Sequence, residues 1–498
     1  MSDTTVESAE ATHTLSPRTL TVKIRTLTPL WTGGVDGTMD RIHETGILGS
    51  LRWWYEAIVR GLGGYACDPT EHTCTFDTNK YQGSEAPDKR QRLRDAGLCD
   101  VCQIFGATGW RRRFRLEVRP LEGGIDFTEG MFPSGRVHPD RRRPYRVGGW
   151  LLRGGYFGTL ELHFTGEERI LLCEILPTLL FIEKWGALGP KTSIGYGIIE
   201  ITRLQIGEET YSPTHHDWHA QLSELVSQSC QGSRVGRWWF EGLSTSSPYQ
   251  GVLPVLTNMF SSKVRFKVTD LNWWSEFREI QWLQVGQIGV DEAHWTGKQD
   301  QTPTGPFKIA NPLSVSRIEH WVRYHKTFPL APIVRTRLRY SDSNIGVCTD
   351  SNGESDWCKF IFGTVHGNEP ICGYCGTKVK KDRNDQNRWW CSKGRVSLAN
   401  NEVFSGKRIQ SKVRVSWAYQ IGDSEWEFRV WGWLPEHAQS ARHRQQREEF
   451  LRTLKTSIGA LSQLSPLSQL QISPECWVAK QENGETSHFL MTLLTGCP

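Results

Sequence analysis

Long apolar runs are missing from this sequence. The best of them, Ile170 to Ile182, is too short to cross a bilayer and is interrupted by Glu174 and Pro177, so no membrane-spanning helix is expected. No basic-then-apolar leader opens the chain. Residues 1–17 read as a polar, disordered tail, and a cytoplasmic location is the expectation. The phosphate loop Gly-x4-Gly-Lys-Ser/Thr, the dinucleotide fingerprint, His-Glu-x-x-His and any Ser/His/Asp order are also absent. That sets aside nucleotidase, dehydrogenase, zinc-protease and serine-hydrolase chemistry. Thirteen cysteines in 498 residues are too few for a disulfide scaffold. Lysine is scarce beside arginine, 19 against 40.

Arginine and tryptophan are what the sequence has in quantity. The net charge is only +5, from 59 basic and 54 acidic residues, but it is unevenly placed. Between Trp110 and Arg153 stand eleven Arg, no Lys and five acidic residues, including the runs Arg111-Arg112-Arg113 and Arg141-Arg142-Arg143, with Arg146 just beyond. Such runs repel themselves unless anions lie nearby, and guanidinium groups suit bidentate contact with phosphate. Twenty-two Trp, with adjacent pairs at 53–54, 238–239, 273–274 and 389–390, add flat rings; most are expected in the core. Basic and aromatic enrichment together predict a binder of single-stranded nucleic acid.

Periodicity organises the chain into two halves. Leu20, Val22 and Ile24 alternate with polar residues, which predicts a strand over Thr19 to Thr28. A glycine loop follows, Trp31 to Gly37. Next comes a helix over Gly46 to Gly61, with the stripe Ile47, Leu48, Leu51, Tyr55 and Ile58 on one face. Arg52, Glu56 and Arg60 step by four along another, with Trp53 beside them. A helix over Glu167 to Trp185, kinked near Pro177, runs into a second glycine loop at Gly186 to Gly197 and a strand over Ile198 to Gln205. Residues 207–252 read as a linker. The same succession then restarts, with a strand around Val264 to Val268 and a helix over Trp274 to Val285. Val334 to Tyr340 alternates and reads as a strand presenting Arg335, Arg337 and Arg339. Strands over Lys412 to Ile421 and Glu425 to Leu434 precede a helix over Glu436 to Leu454. A local echo, Cys102 to Thr108 against Cys358 to Thr364, supports duplication. The expectation is two related α+β domains, residues 18–206 and 253–498.

Each half carries a cysteine cluster. Cys67-x6-Cys74-x24-Cys99-x2-Cys102 is spaced to close a tetrahedral zinc site of four thiolates, structural because no position stays open. Cys358-x13-Cys372-x2-Cys375-x15-Cys391 predicts a second, ribbon-like site. Cys358, Cys348 and His366 compete there for the fourth ligand. The expected cofactor is structural zinc, one or two ions. Asp36, Asp40, His43 and Glu44 lie together after the first strand, where a carboxylate or imidazole near an RNA backbone assists attack by a 2′-hydroxyl.

Two stretches carry a family resemblance. Leu27-Thr28-Pro29-Leu30-Trp31-Thr32-Gly33-Gly34 and Glu44-Thr45-Gly46-Ile47-Leu48-Gly49-Ser50-Leu51-Arg52-Trp53-Trp54 resemble the RAMP superfamily of CRISPR proteins, in particular the first subunit of type III-B effector complexes. Gly186 to Gly197 resembles the glycine-rich loop of that family. The resemblance implies an α+β chain of two tandem ferredoxin-like (RRM-like) RAMP domains with cysteine-rich zinc-binding insertions. It also implies a non-catalytic RNA-binding subunit of an antiviral ribonucleoprotein, contacting guide CRISPR RNA and target RNA near the guide 3′ end beside other RAMP subunits, away from any membrane. Thr32, Gly33 and Gly34 match the family's first loop, Arg52, Trp53 and Trp54 its helix motif, and Lys191, Gly195 and Gly197 its glycine loop. With the basic Arg60, Arg111, Arg112 and Arg113 these are the expected RNA contacts. Leu48 stands where the family usually has a basic residue. The alternative is a RAMP endoribonuclease using Asp36 or His43.

Overall fold

A computed structural model describes residues 18–34, 37–61, 63–68, 72–140, 145–211, 252–270, 272–297, 304–340, 356–365, 369–406, 408–437, 439–463 and 473–478. The expected tail, and nearly all of the expected linker, lie outside the described residues.

Alternation in the first strand, β1 (Arg18–Thr26), buries Leu20, Val22 and Ile24 on one face of a sheet. The helix that follows, α1 (Glu44–Gly61), has an acid in its first turn and Arg60 in its last, as the helix dipole favours. Its apolar stripe packs Ile47, Leu51, Tyr55 and Ile58 into the core. Beyond the first cysteine segment and the short helix α2 (Asp100–Phe105) come two long strands, β2 (Phe114–Pro139) and β3 (Tyr145–Gly166). A helix runs from Glu168 through a π segment at Leu171–Ile175 into α3 (Leu176–Trp185), and Pro177, which cannot donate to the ladder, follows directly on that irregularity. Strand β4 (Ile199–Ile206) closes the unit. Its four long strands lie in the order β4-β1-β3-β2 within a six-stranded sheet, each of these pairs antiparallel.

The second half repeats this connectivity around β5 (Met259–Lys267). Helices α4 (Arg278–Val285), α5 (Val315–His325), α6 (Leu330–Tyr340) and α7 (Asp356–Phe362) precede β6 (Ala418–Gln420) and β7 (Glu425–Trp433). Helix α8 (Ala441–Gly459) and β8 (Ser473–Val478) complete it. The order is β8-β5-β7-β6, again antiparallel. The main strands of both units therefore follow the succession βαββαβ with spatial order 4-1-3-2. The echoed segments are the helices α2 and α7, each ended by a glycine at positive φ, Gly106 (89°) and Gly363 (77°).

Two expected strands differ. Residues 330–340 are helical, because Pro332 falls in the first turn, where it starts a helix rather than spoiling a ladder. The stretch after Lys412 is two short strands, Val413–Val415 and Ala418–Gln420, parted where the Ser416 hydroxyl accepts from the Arg429 N–H at 2.8 Å. The hairpin β2–β3 reaches past its own sheet. Val137 and Val147 at its far end pack with Trp282, Ile288 and Phe307 of the second unit, and Arg136 and Val137 pair in parallel with His294 and Trp295.

Candidate nucleic-acid interface and metal clusters

That reach creates a cleft between the units, a cavity of about 680 Å³. One wall is the hairpin, with Arg136, His138, Arg146 and Trp150; the other is α6, with Arg335, Arg339 and Tyr340. Residues 335 and 339 are one turn apart and share a face, whereas Arg337 points away to Glu279 at 2.9 Å. Among the described lining residues Asp140 is the sole carboxylate. Rings position the cations instead. The Arg335 guanidinium lies 4.7 Å from the Trp150 ring centroid, and Arg136 and Arg339 lie 4.1 and 4.9 Å from that of Tyr340. Arg335 also donates to the Ser193 and Phe362 carbonyls, and Arg339 to that of Gly363 at 2.9 Å. Burial, with the charges of Arg339 and Arg414, pushes the Arg335 pKa down to about 9. Burial and the charges of Arg136 and Arg146 likewise lower that of His138. The cleft holds an excess of positive charge, which an anion would offset.

The residues expected at RNA sit mostly elsewhere. Trp54 is buried, its indole N–H donating to the Ala187 carbonyl at 2.9 Å. Arg60 is buried on Glu56 and the carbonyls of Cys67 and Pro254. Trp53 is half-buried against Trp431 and Trp433 of the second unit and, with them, encloses the Arg414 guanidinium at 5.3, 4.7 and 5.0 Å. Thr32 is buried and its hydroxyl accepts from the His43 N–H.

The glycine loops are likewise committed. The Gly34 N–H donates to Thr38, Gly197 to Pro29 and Gly195 to Thr192. Gly195, at φ 95°, faces Trp417 and Ala331, and Gly197, at φ 88°, leaves no room against the Leu188 carbonyl. These three N–H groups thus have partners inside the chain. Gly33 is half-buried over the Trp31 indole. Lys191 lies 3.5 Å from the Trp31 ring centroid, and burial, then Arg153, pushes its pKa down to about 8. Of the arginine run, Arg111 is exposed, Arg112 donates to the Phe114 carbonyl and Arg113 pairs with Glu167. Arg141 to Arg143 and Asp36 lie outside the described residues. The His43 ring N–H donates to Asp40 Oδ1, 2.7 Å away.

Sequence reasoning missed Arg136, Trp150 and the pairing of Arg335 with Arg339. A cation every second residue looks like a strand edge, and only Pro332 argues for a helix.

The thiols of Cys67, Cys74, Cys99 and Cys102 converge, all ligand atoms within 4.8 Å and all four residues buried. Cys67 Sγ and Cys102 Sγ are 3.7 Å apart, the Cys102 N–H donates to Cys99 Sγ, and Arg52 Nη2 donates to Cys102 Sγ at 3.2 Å. Arg52, expected at RNA, instead bridges Glu56 and this cluster. The second cluster joins Cys372, Cys375 and Cys391 to His443. Cys358 is not part of it: it lies on α7 in a disulfide, and His443, on α8, takes the fourth place. Cys348 and His366 are outside the described residues. Both clusters can hold a metal ion.

Residues 23–200 match the family profile of the RAMP superfamily. That stretch is RAMP-like. The matched stretch runs from β1 into β4 and contains the α1 motif, the glycine loop and the four-thiol cluster. Among solved structures the chain is similar to Cmr1 from Pyrococcus furiosus, at 11% identity over 92% of this chain and 98% of that one, TM-score 0.32. It is also similar to a chain of the type III-B Cmr-beta complex bound to cognate target RNA and AMPPnP, at 12% identity over 89% and 100%, TM-score 0.39. Cmr6 from Pyrococcus furiosus matches at 15% identity over 37% of this chain and 98% of that one, TM-score 0.19. No curated protein matches the chain in sequence. Among the described residues no helix is long and apolar enough to cross a membrane.

Proposed function

We propose that this protein is a non-catalytic, RNA-binding subunit of a type III-B CRISPR RNA-guided effector, working beside other RAMP subunits on guide and target RNA. The observation that carries the RNA part is the cleft of Arg136, Arg146, Arg335 and Arg339 with Trp150 and Tyr340. Four guanidinium groups facing one carboxylate attract a polyanion, and rings beside them accept a stacked base. The paired indoles no longer carry the reading, since Trp53 and Trp54 serve the seam and the core. A position near the guide 3′ end rests on the resemblance of residues 27–54. Zinc in the cluster Cys67, Cys74, Cys99 and Cys102 is structural, because four thiolates fill its coordination.

Binding of the full chain to fluorescent single-stranded RNA across a salt series tests this. Replacing Arg136, Arg146 and Arg339 together by Ala should weaken binding and flatten the log–log salt slope by about 1 for each phosphate that is no longer neutralised. An unchanged slope in a folded variant overturns the reading. The endoribonuclease alternative has one observation in its favour, the exposed Asp40–His43 pair, which orients an imidazole as a general base requires. RNA cleavage that disappears in His43→Ala would replace our reading with it.

A further inference from the structure

Three thiols and one imidazole from distant parts of the second unit meet at one point. Cys372 and Cys375 lie on a glycine-bearing knuckle. Cys391 ends the strand Trp389–Cys391 of a small three-stranded sheet. His443 comes from the first turn of α8, whose remaining turns bury Phe450, Leu454 and Ile458 against the body of the unit.

We propose that Cys372, Cys375, Cys391 and His443 form a tetrahedral zinc site, and that its metal clamps the inserted ribbon, residues 369–406, onto α8. Zinc with Zn–S of about 2.3 Å and Zn–N of about 2.0–2.1 Å spaces sulfurs about 3.8 Å apart and sulfur from nitrogen about 3.5 Å apart. Here Cys375 Sγ and Cys391 Sγ are 3.6 Å apart, and His443 Nε2 stands 3.7 Å from Cys391 Sγ and 3.9 Å from Cys372 Sγ. The imidazole is 3% exposed, and its Nδ1 has no hydrogen-bond partner among the described residues. A buried ring with nothing but thiols at its other nitrogen is costly without a ligand in common.

The surroundings are shaped for this ring. Tyr374 stacks on it at 5.5 Å and 26°. A Cβ on Gly394 would stand 2.2 Å from its Cε1, so only glycine fits in that knuckle. Ser440 sets the register: its hydroxyl accepts from the His443 N–H, capping α8, and donates to the Gly394 carbonyl at 2.9 Å. The ligand set thus joins two segments that local sequence does not, and the ion adds a tie between the ribbon and α8 to the burial of Ile371, Tyr374 and Leu398.

Metal content of the full chain decides it, read after gel filtration in wild type, His443→Ala, His443→Cys and Cys358→Ser. H443A should lose one zinc per chain, whereas H443C and C358S keep the wild-type number. Cobalt-exchanged H443C should shift its visible bands to longer wavelength, as a fourth thiolate replaces nitrogen. Limited proteolysis should cut within residues 378–395 faster in H443A than in wild type, with H443C restoring protection. Equal metal content in wild type and H443A overturns the site. Loss of one zinc in C358S returns the fourth place to the cysteine.

Discussion

The two units share connectivity and the place of their insertions, yet the interior cations of the first and the seam cations of the second are compensated differently. In the first unit interior cations meet carboxylates: Arg52 and Arg60 at Glu56 (2.9 and 3.4 Å), Arg90 at Glu174 and Arg94 at Asp100 (both 2.7 Å). At the seam of the second, cations rest on rings. Arg414 lies inside the Trp53, Trp431 and Trp433 cage, Lys412 is 3.7 Å from the Phe360 ring centroid, and Arg335 lies over Trp150. Two of those rings, Trp53 and Trp150, and the Ser193 carbonyl that Arg335 uses, belong to the first unit. Inside the second unit Arg429 still meets Glu427 at 3.7 Å and Arg337 meets Glu279 at 2.9 Å, so it is the seam cations that borrow from the first unit. The thiol clusters follow the same division, Cys67 and Cys102 being 35 residues apart and Cys372 and His443 71 apart.

The largest effect should come from breaking that division at the metal clusters. Zinc contributes about 10–16 kcal/mol to the folding of small zinc-finger peptides near pH 7, and the four-thiol cluster lies within the first unit's core beside α1. Cys99→Ser should collapse soluble yield and abolish a cooperative melt. Cys391→Ser should remove one metal equivalent and leave the melt of the sheets in place, because the ribbon's strands stand outside the two large sheets. Equal damage from the two substitutions, measured by yield, metal content and thermal melting, would erase the contrast.

A middle-sized effect belongs to the seam. Trp53→Ala removes a large ring and leaves Arg414 less enclosed, at a cost of about 3–5 kcal/mol. Its RNA affinity per folded molecule should stay at the wild-type value, because the ring packs on the second unit. Trp53→Phe should recover most of the melting temperature. A variant that melts normally but binds RNA poorly would return Trp53 to the nucleic acid.

What the sequence makes legible follows the same line between local and distant. The stripe of α1, the strand β1 and the spacing Cys99-x2-Cys102 are short-range patterns, and the structure has an element at each. The α6 helix reads as a strand because Val334, Leu338 and their neighbours satisfy a two-residue period as well as a helical one. The cleft depends on how far the hairpin β2–β3 reaches, which no periodicity encodes. His443 sits in a charged helix with nothing nearby to mark it as a ligand, and Cys358 looks better because it echoes the neighbourhood of Cys102. Trp53 matches a family motif, but a ring beside an arginine reads alike whether it meets a base or a second domain.

The smallest effect tests charge compensation by rings alone. Lys412 is half-buried over Phe360, and burial by itself pushes its pKa down to about 7 from 10.5. Between those values the unfolded chain holds more protons at this amine than the folded chain does, so its contribution to stability rises with pH across the window. Below about pH 7 the folded chain carries the full cost of the buried ammonium. Lys412→Met keeps the length and apolar stem and removes that cost. The variant should melt higher than wild type at about pH 6, and the gap should shrink at about pH 9 as the wild-type amine loses its proton. A gap independent of pH would mean that the methionine gains through packing, and that the Phe360 ring compensates the ammonium as fully as a carboxylate does in the first unit.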